Sequence, residues 1–353
     1  MSLAPKKVLV LGAGISGLTC AFELVNRGHQ VTVIYAKDAS QTPSVIAGAL
    51  WEWPPAVCGH HTDVRSLERS KPWCFETYQR FQQLSENPES GIVMERAHFY
   101  FFHPVESNEF ENSKLKEIRQ HCDGVVHDPA LIEKNGVNKS LQLKDSYSFI
   151  APVINTPIYT RWLRRQVESM GVKFQQRAVG GGLDAFGPLL DEFDASLLIN
   201  CSGLGARNFG DEQVYPLRGA LVQLKLSQQL PAPGVHCISH DDAKTHQNMI
   251  YLVPRGDTLL LGGIAQPNEW NEKLSVNDSI VKGIVDRCLE FMPDLARLRS
   301  DEQLPVLVGL RPARNGNVRL EWEPEQSVIH NYGHGGSGFS MSWGCAKEVA
   351  SLV

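Results

Sequence analysis

The sequence predicts an α/β protein: a parallel sheet with helices, interrupted by a second region rich in mixed strands. Three observations predict it. The chain opens with an apolar strand that runs into a glycine-spaced turn and an amphipathic helix. A second apolar strand near residue 200 also ends in small residues and glycines. Between and after these, several short stretches alternate or cluster as strands.

Val8-Leu9-Val10-Leu11 reads as a strand buried on both faces. Gly12, Gly14 and Gly17, with Ala13, Ile15 and Ser16 between them, fit the spacing G-x-G-x-x-G. In that motif the first glycine permits the tight turn. The second lets the backbone approach a pyrophosphate, and the third lets the helix pack close to the strand. The helix N-terminus adds free N–H groups and a positive dipole end. Leu18, Ala21, Phe22, Leu24 and Val25 form the apolar helix face, and Gly28 is placed to stop the helix. Gln30 to Tyr35 is the second strand. A dinucleotide site is expected here, against a plain tight turn. The acidic ribose anchor of such a site belongs at the end of the second strand. This chain has Tyr35-Ala36-Lys37-Asp38 there. Asp38 sits late and Lys37 suits a phosphate, so the motif alone does not separate NAD from FAD.

Ala47-Gly48-Ala49-Leu50-Trp51 runs small residues into a large aromatic. It fits either a backbone approach to a flat ligand or a turn packed on the sheet. Arg65 to Leu84 reads as a helix with Trp73, Tyr78, Phe81 and Leu84 as its buried stripe. Gly91 to Val105 reads as antiparallel strands, Glu106 to His121 as a solvated helix and Tyr147 to Val153 as a strand. Thr156 to Met170 is a helix capped by Asn155 or Thr156. Ser196 to Ala206 repeats the opening logic, with Cys201-Ser202-Gly203 at the strand end. Pro216 to Leu224 reads as an alternating strand. Residues 250–254 and 259–263 form a hairpin turning at Arg255-Gly256-Asp257. Asn277 to Phe291 is a helix with Asn277 as its cap. Val306 to Arg314 carries arginine out of an apolar strand. Val328 to Ser340 is a strand, a glycine-rich turn and a helix from about Phe339.

The chain has 353 residues, 42% apolar and 21% charged, which allows a sizeable core and one or two domains. A net charge of −5 and the lack of a long basic run argue against nucleic-acid binding. No apolar run approaches the roughly 20 residues of a membrane span. The N-terminus reads straight into the first strand, and the C-terminal Ala350-Ser351-Leu352-Val353 lacks the S-K-L address. Cytoplasm is the expected location. Eight scattered cysteines without C-x-x-C read as reduced core thiols. His60, His61 and Asp63 invite a metal reading, but adjacent histidines on a loop point apart and no third ligand follows at helical spacing. No metal is expected.

Three features carry possible chemistry. Arg311 needs a partner, because guanidinium stays charged; it is either paired structurally or aimed at an anionic ligand. The glycine-rich turn from Gly333 to Ser340 makes a second backbone cradle for an anion or a carbonyl oxygen. His330 and His334 suit catalytic bases but read more simply as hydrogen-bonded core residues.

Taken together, several blocks resemble the D-amino-acid oxidase family. They are the opening Val8 to Leu18, Ala47 to Trp51, Asn200-Cys201-Ser202-Gly203, Ile250-Tyr251-Leu252-Val253-Pro254, Gly262-Gly263-Ile264, Gly309-Leu310-Arg311-Pro312-Ala313-Arg314 and His330 to Gly336. They occur in the family's order and cover almost the whole chain. The resemblance implies FAD, and a Rossmann-like FAD-binding domain with an interleaved mixed-β-sheet substrate domain. Residues 1–55, 147–215 and 305–353 are expected in the first, and 56–146 and 216–304 in the second. The implied reaction is oxidative deamination of D-amino acids to 2-oxo acids, ammonia and hydrogen peroxide, by hydride transfer to flavin N5 and reoxidation by molecular oxygen. It also implies roles. Arg311 and Tyr251 hold the substrate carboxylate, and the Gly336 carbonyl accepts from the amine. Ala47, Gly48, Ala49 and Leu50 lie along the flavin. Gly335, Gly336, Ser337, Gly338, Phe339 and Ser340 face its pyrimidine end. Val179, Ser202 and Gly203 meet the adenosine and pyrophosphate side. A homodimer is compatible with the reading. A glycine, sarcosine or acidic D-amino-acid oxidase, a flavin protein without turnover and an NAD-dependent dehydrogenase are the competing readings.

The sequence departs from the family pattern in three places. Gln247 stands where many animal members have a second active-site tyrosine. Glu52, beside Trp53, stands where such members carry a neutral amide. A carboxylate there favours a cationic side chain, although Glu52 also fits a surface position or a partner for Arg65. Lys37 stands at the acidic ribose anchor.

Overall fold

The computed structural model describes residues 4–53, 64–226, 234–238, 249–298 and 304–353. His60, His61, Asp63 and Gln247 lie outside the described residues. Strands are numbered in chain order: β1 (Lys7–Leu11), β2 (Gln30–Tyr35), β3 (Ile92–Phe101), β4 (Val126–His127) and β5 (Asp145–Ile154). Next come β6 (Lys173–Gln176), β7 (Leu197–Asn200), β8 (Val214–Lys225), β9 (Val235–Ile238) and β10 (Tyr251–Arg255). The last are β11 (Thr258–Gly262), β12 (Gln266–Pro267), β13 (Val306–Arg314), β14 (Arg319–Glu323) and β15 (Val328–Tyr332).

Two sheets organise the described residues. The smaller runs β14-β15-β7-β1-β2-β6, all parallel except β14 against β15. Its central strands β1 and β7 are apolar because both faces are covered: β7 is buried throughout and β1 after its first residue. The larger sheet runs β12-β8-β11-β10-β9-β3-β5-β4, with β13 also paired to β8. It is mixed, since β3 pairs parallel with β9 and antiparallel with β5.

The helix Ile15–Asn26 ends at Arg27, and Gly28 follows with φ +87°. Its apolar face packs on the helix Gly338–Leu352. The helix Val64–Leu84 packs on the same C-terminal helix at close range. A Cβ on Gly344 would stand 2.2 Å from Trp73 Cα. Trp51 is fully buried, with ring centroids 4.9 Å from Tyr78 and 6.3 Å from Phe149. The large sheet, the N-terminal segment and the Val64–Leu84 helix thus share one core.

Three local expectations differ from the structure. Residues 91–105 hold one long strand, β3, because β5 and β9 flank it on both sides. β8 does not alternate; it is buried on both faces, with the helix Ser279–Phe291 packed against it. That helix begins at Ser279, with Asp278 rather than Asn277 at the cap position. The Asp278 carboxylate turns back to accept from Ser275 N at 2.6 Å. The seven cysteines among the described residues are free and buried. Among the described residues no helix is long and apolar enough to cross a membrane.

Gly344→Ala is expected to destabilise the protein by about 3 kcal/mol, because backbone rather than a movable side chain blocks the new methyl. Urea unfolding would measure it. A loss below about 1 kcal/mol would show that the two helices separate freely.

Candidate active site

The two sheets meet around a cavity of about 600 Å³. Its small-sheet end is built by the turn after β1. Gly12 has φ +113°, and a Cβ there would stand 2.4 Å from Cys201 O at the end of β7. Gly12 N donates to Ile34 O at 2.8 Å, so the turn is tied to β2 as well. Ser44 Oγ accepts from Ile15 N at 3.1 Å, satisfying one of the first N–H groups of the helix. Residues 12–16, Ser202 and Gly203 line the cavity here. Lys37 and Val179 also line it. Asp38 does not; its carboxylate is exposed and accepts from Ser40 N and Oγ, which hold its pKa below the usual carboxylate range. Gly17 lies off the cavity, packed against the Gly12 backbone.

The middle wall is the segment 47–50. It is fixed to β5 by backbone bonds. Ile154 N donates to Ala49 O and Trp51 N to Pro152 O, each at 3.1 Å. Ala49 is held at φ +50°, a left-handed conformation unusual for a residue with a Cβ. Two side chains from β10 complete the hold. Leu50 N donates to the Tyr251 hydroxyl at 2.9 Å. The buried Arg255 guanidinium donates to Ala47 O and, at 3.3 Å, to Gly48 O. Burial pushes Arg255 down to about 10, so it stays cationic at neutral pH. Sequence reasoning took Arg255 as a turn residue and missed this clamp.

The large-sheet end carries Arg311 on β13. Gly219 on β8 makes room for it; a Cβ there would stand 2.4 Å from Arg311 Nη1. Arg311 Nη1 donates to Ile264 O at 2.9 Å, and among the described residues no carboxylate pairs with it. The sequence signal for this device was the glycine pair Gly219 and Gly309, which stand opposite each other in the ladder. Tyr251 shares the cavity. Its phenol pKa is raised, first by burial and then by the nearby Glu52 carboxylate. Glu52 is half-buried and lines the cavity, whereas Arg65 is exposed and off it. Trp53 lies outside the cavity, buried between Trp51 and His121, with its Nε1 donating to Glu117 at 3.1 Å.

The third element is the turn 333–337 and the N-terminus of the helix Gly338–Leu352. Residues 335–340 line the cavity. Gly335 N donates to Pro312 O at 2.9 Å, which ties the turn to β13. His334 lines the cavity and is fully enclosed; among the described residues its Nε2 has no partner, and burial pushes its pKa down to about 4. The Asn331 Oδ1 beside it is also unpartnered. His330 lies off the cavity, with Asn200 Nδ2 3.3 Å from its Nδ1.

A dinucleotide with a flat ring fits these residues. Two helix N-termini and Lys37 suit its phosphates and other anionic groups. The unpartnered His334 and Asn331 atoms are the kind of polar groups that a bound ligand satisfies.

Comparison with known proteins decides which cofactor this is. The family described as FAD dependent oxidoreductase (DAO) matches residues 7–352. The chain belongs to that family. Its cofactor is FAD. A D-amino-acid oxidase of Streptomyces coelicolor is 31% identical over 98% of this chain and 96% of the relative. One from Dictyostelium discoideum is also 31% identical, over 98% of this chain and 91% of the relative. Glycine oxidase from Geobacillus kaustophilus has a similar fold, with a TM-score of 0.74 at 18% identity, covering 98% of this chain and 94% of that one. The mixed second sheet and the Rossmann-like first sheet of this oxidoreductase are the fold of its relatives.

Arg255→Met is expected to weaken FAD retention on the order of tenfold, because the Ala47 and Gly48 carbonyls lose a charged donor. Flavin fluorescence during dialysis would measure it. Unchanged affinity with an unchanged circular dichroism spectrum would contradict the clamp.

Proposed function

We propose that this flavoprotein oxidises D-amino acids to 2-oxo acids, ammonia and hydrogen peroxide, with oxygen as acceptor. The observation that carries the reading is Arg311: a guanidinium lining the cofactor cavity, with a backbone carbonyl but, among the described residues, no carboxylate to neutralise it. A planar fork of this kind suits a substrate carboxylate bidentately. The stereochemistry is taken from the curated relatives, which are named D-amino-acid oxidases. Supporting the domain reading, β1, β2, β6, β7, β14 and β15 share one sheet. We propose the discontinuous division given above, with β5 and β13 carried by the larger sheet at the segment edges.

Bound FAD supplies the hydride acceptor. The chain supplies orientation. Arg311 Nη1 is held by Ile264 O, which leaves its other N–H groups for the substrate carboxylate. The Tyr251 oxygen already accepts from Leu50 N, so its own proton is the one left to donate. Because its pKa is raised, Tyr251 keeps that proton above the usual tyrosine range. Gly336 lines the same cavity, and its carbonyl is the acceptor proposed for the amine. Leu221, Met249 and Leu307 line the same cavity and exclude water. His334 is neutral at working pH and contributes no charge to the step.

Peroxide release by the yellow protein against D- and L-amino acids, glycine and sarcosine tests the reading. Activity on D-amino acids alone is expected. Activity confined to glycine or sarcosine would replace it, and flavin reduction without peroxide would make the protein a dehydrogenase. Arg311→Leu is expected to lower kcat/KM on the order of 10²- to 10³-fold with FAD still bound. Tyr251→Phe should lower it about tenfold. It should leave any alkaline limb of the pH profile in place, because a group with a raised pKa is still protonated there. Loss of that limb would make Tyr251 the titrating group and contradict its placement.

A further inference from the structure

We propose that the substrates of this site are D-amino acids with long cationic side chains, and that Glu52 selects them. The proposal rests on the D-amino-acid reading and concerns the other end of the same substrate. Leu221 on β8, Gly262 on β11, Tyr251 on β10 and Cys237 on β9 lie in one register row of the large sheet. Paired residues point to the same face, and Gly219, two residues from Leu221, shares it. The Arg311 guanidinium stands over Gly219. Glu52 reaches the other end of the row, where Cys237 Sγ donates to its Oε1 at 3.8 Å. The strands beneath the guanidinium and the carboxylate are three apart, about 14 Å at the usual strand spacing of about 4.8 Å.

A substrate gripped at Arg311 by its α-carboxylate therefore points a long side chain toward Glu52. The side chains of alanine and aspartate are too short to approach it. Norleucine has the length but brings no charge. Lysine and arginine have both. The balance of charge agrees. Lys37 and Arg177 line the far end of the cavity, beyond β2. Among the described residues, the other charged groups lining it are Arg311, Glu52 and Glu272. A cationic side chain meets Glu52 as an opposite charge. An acidic side chain would meet Glu52 as a like charge and is disfavoured.

The test is peroxide release by the flavin-loaded protein with D-lysine, D-arginine, D-norleucine, D-alanine and D-glutamate, for the wild type and Glu52→Gln. The wild type is expected to prefer D-lysine over D-norleucine by about tenfold or more in kcat/KM, with D-glutamate last. Glu52→Gln should erase most of that ratio, chiefly through KM for D-lysine. Wild-type turnover without the cationic preference overturns this proposal alone and needs no variant. An equal loss on every substrate also overturns it, by moving Glu52 to the α-amine. No turnover of any D-amino acid by the yellow wild-type protein overturns the D-amino-acid reading, and this proposal with it.

Discussion

The site depends on how the segment 47–51 is held between the two sheets. It leaves the small sheet and is bonded by its own backbone to β5 of the large one. Three more of its polar groups are met from β10: Leu50 N by the Tyr251 hydroxyl, and the Ala47 and Gly48 carbonyls by Arg255. A strand of the larger sheet thus positions the wall along which the flavin is expected to lie. Buried backbone groups need partners, and here the partners are residues that also shape the cavity. Cofactor and substrate geometry are therefore coupled through a few hydrogen bonds rather than through a separate hinge.

The same coupling orders the charges. Arg311 is accommodated only because Gly219 has no side chain, and its guanidinium is steadied by a carbonyl rather than neutralised by a carboxylate. The Tyr251 hydroxyl accepts from the loop at Leu50 N, and under the proposed function its proton is the one offered to the substrate. The second link between the sheets is the bridge from Ala313 to His334, which docks the glycine-rich turn beside the arginine strand. The C-terminal helix then starts at the cavity, held near its middle by the close contact of Gly344 with Trp73.

Much of this was legible in the sequence where one residue type answers one physical need. The strand, turn and helix at the N-terminus follow from glycines that have no room for a Cβ, as Gly12 against Cys201 O shows. Arg311 stood out because a cation at the end of an apolar strand requires an explanation. Contacts made across the chain were not legible. Arg255 looks like half of a hairpin turn, and its partners lie more than 200 positions away. Trp53 sits next to Glu52 in sequence, yet it turns into the core against Trp51 while Glu52 lines the cavity. The burial of β8 on both faces depends on a helix that follows it by more than 50 residues, so its pattern alone misreads as alternating.

The most direct measurement is anaerobic bleaching of the bound flavin by D-alanine and by D-alaninamide, compared at equal concentrations of free amine, which offer Arg311 a carboxylate and a neutral amide respectively. The account predicts that D-alanine bleaches the flavin, that D-alaninamide does so far more slowly, and that Arg311→Leu removes most of the difference. Comparable bleaching by the two compounds in the wild type would show that no carboxylate is gripped there, and would contradict the central claim.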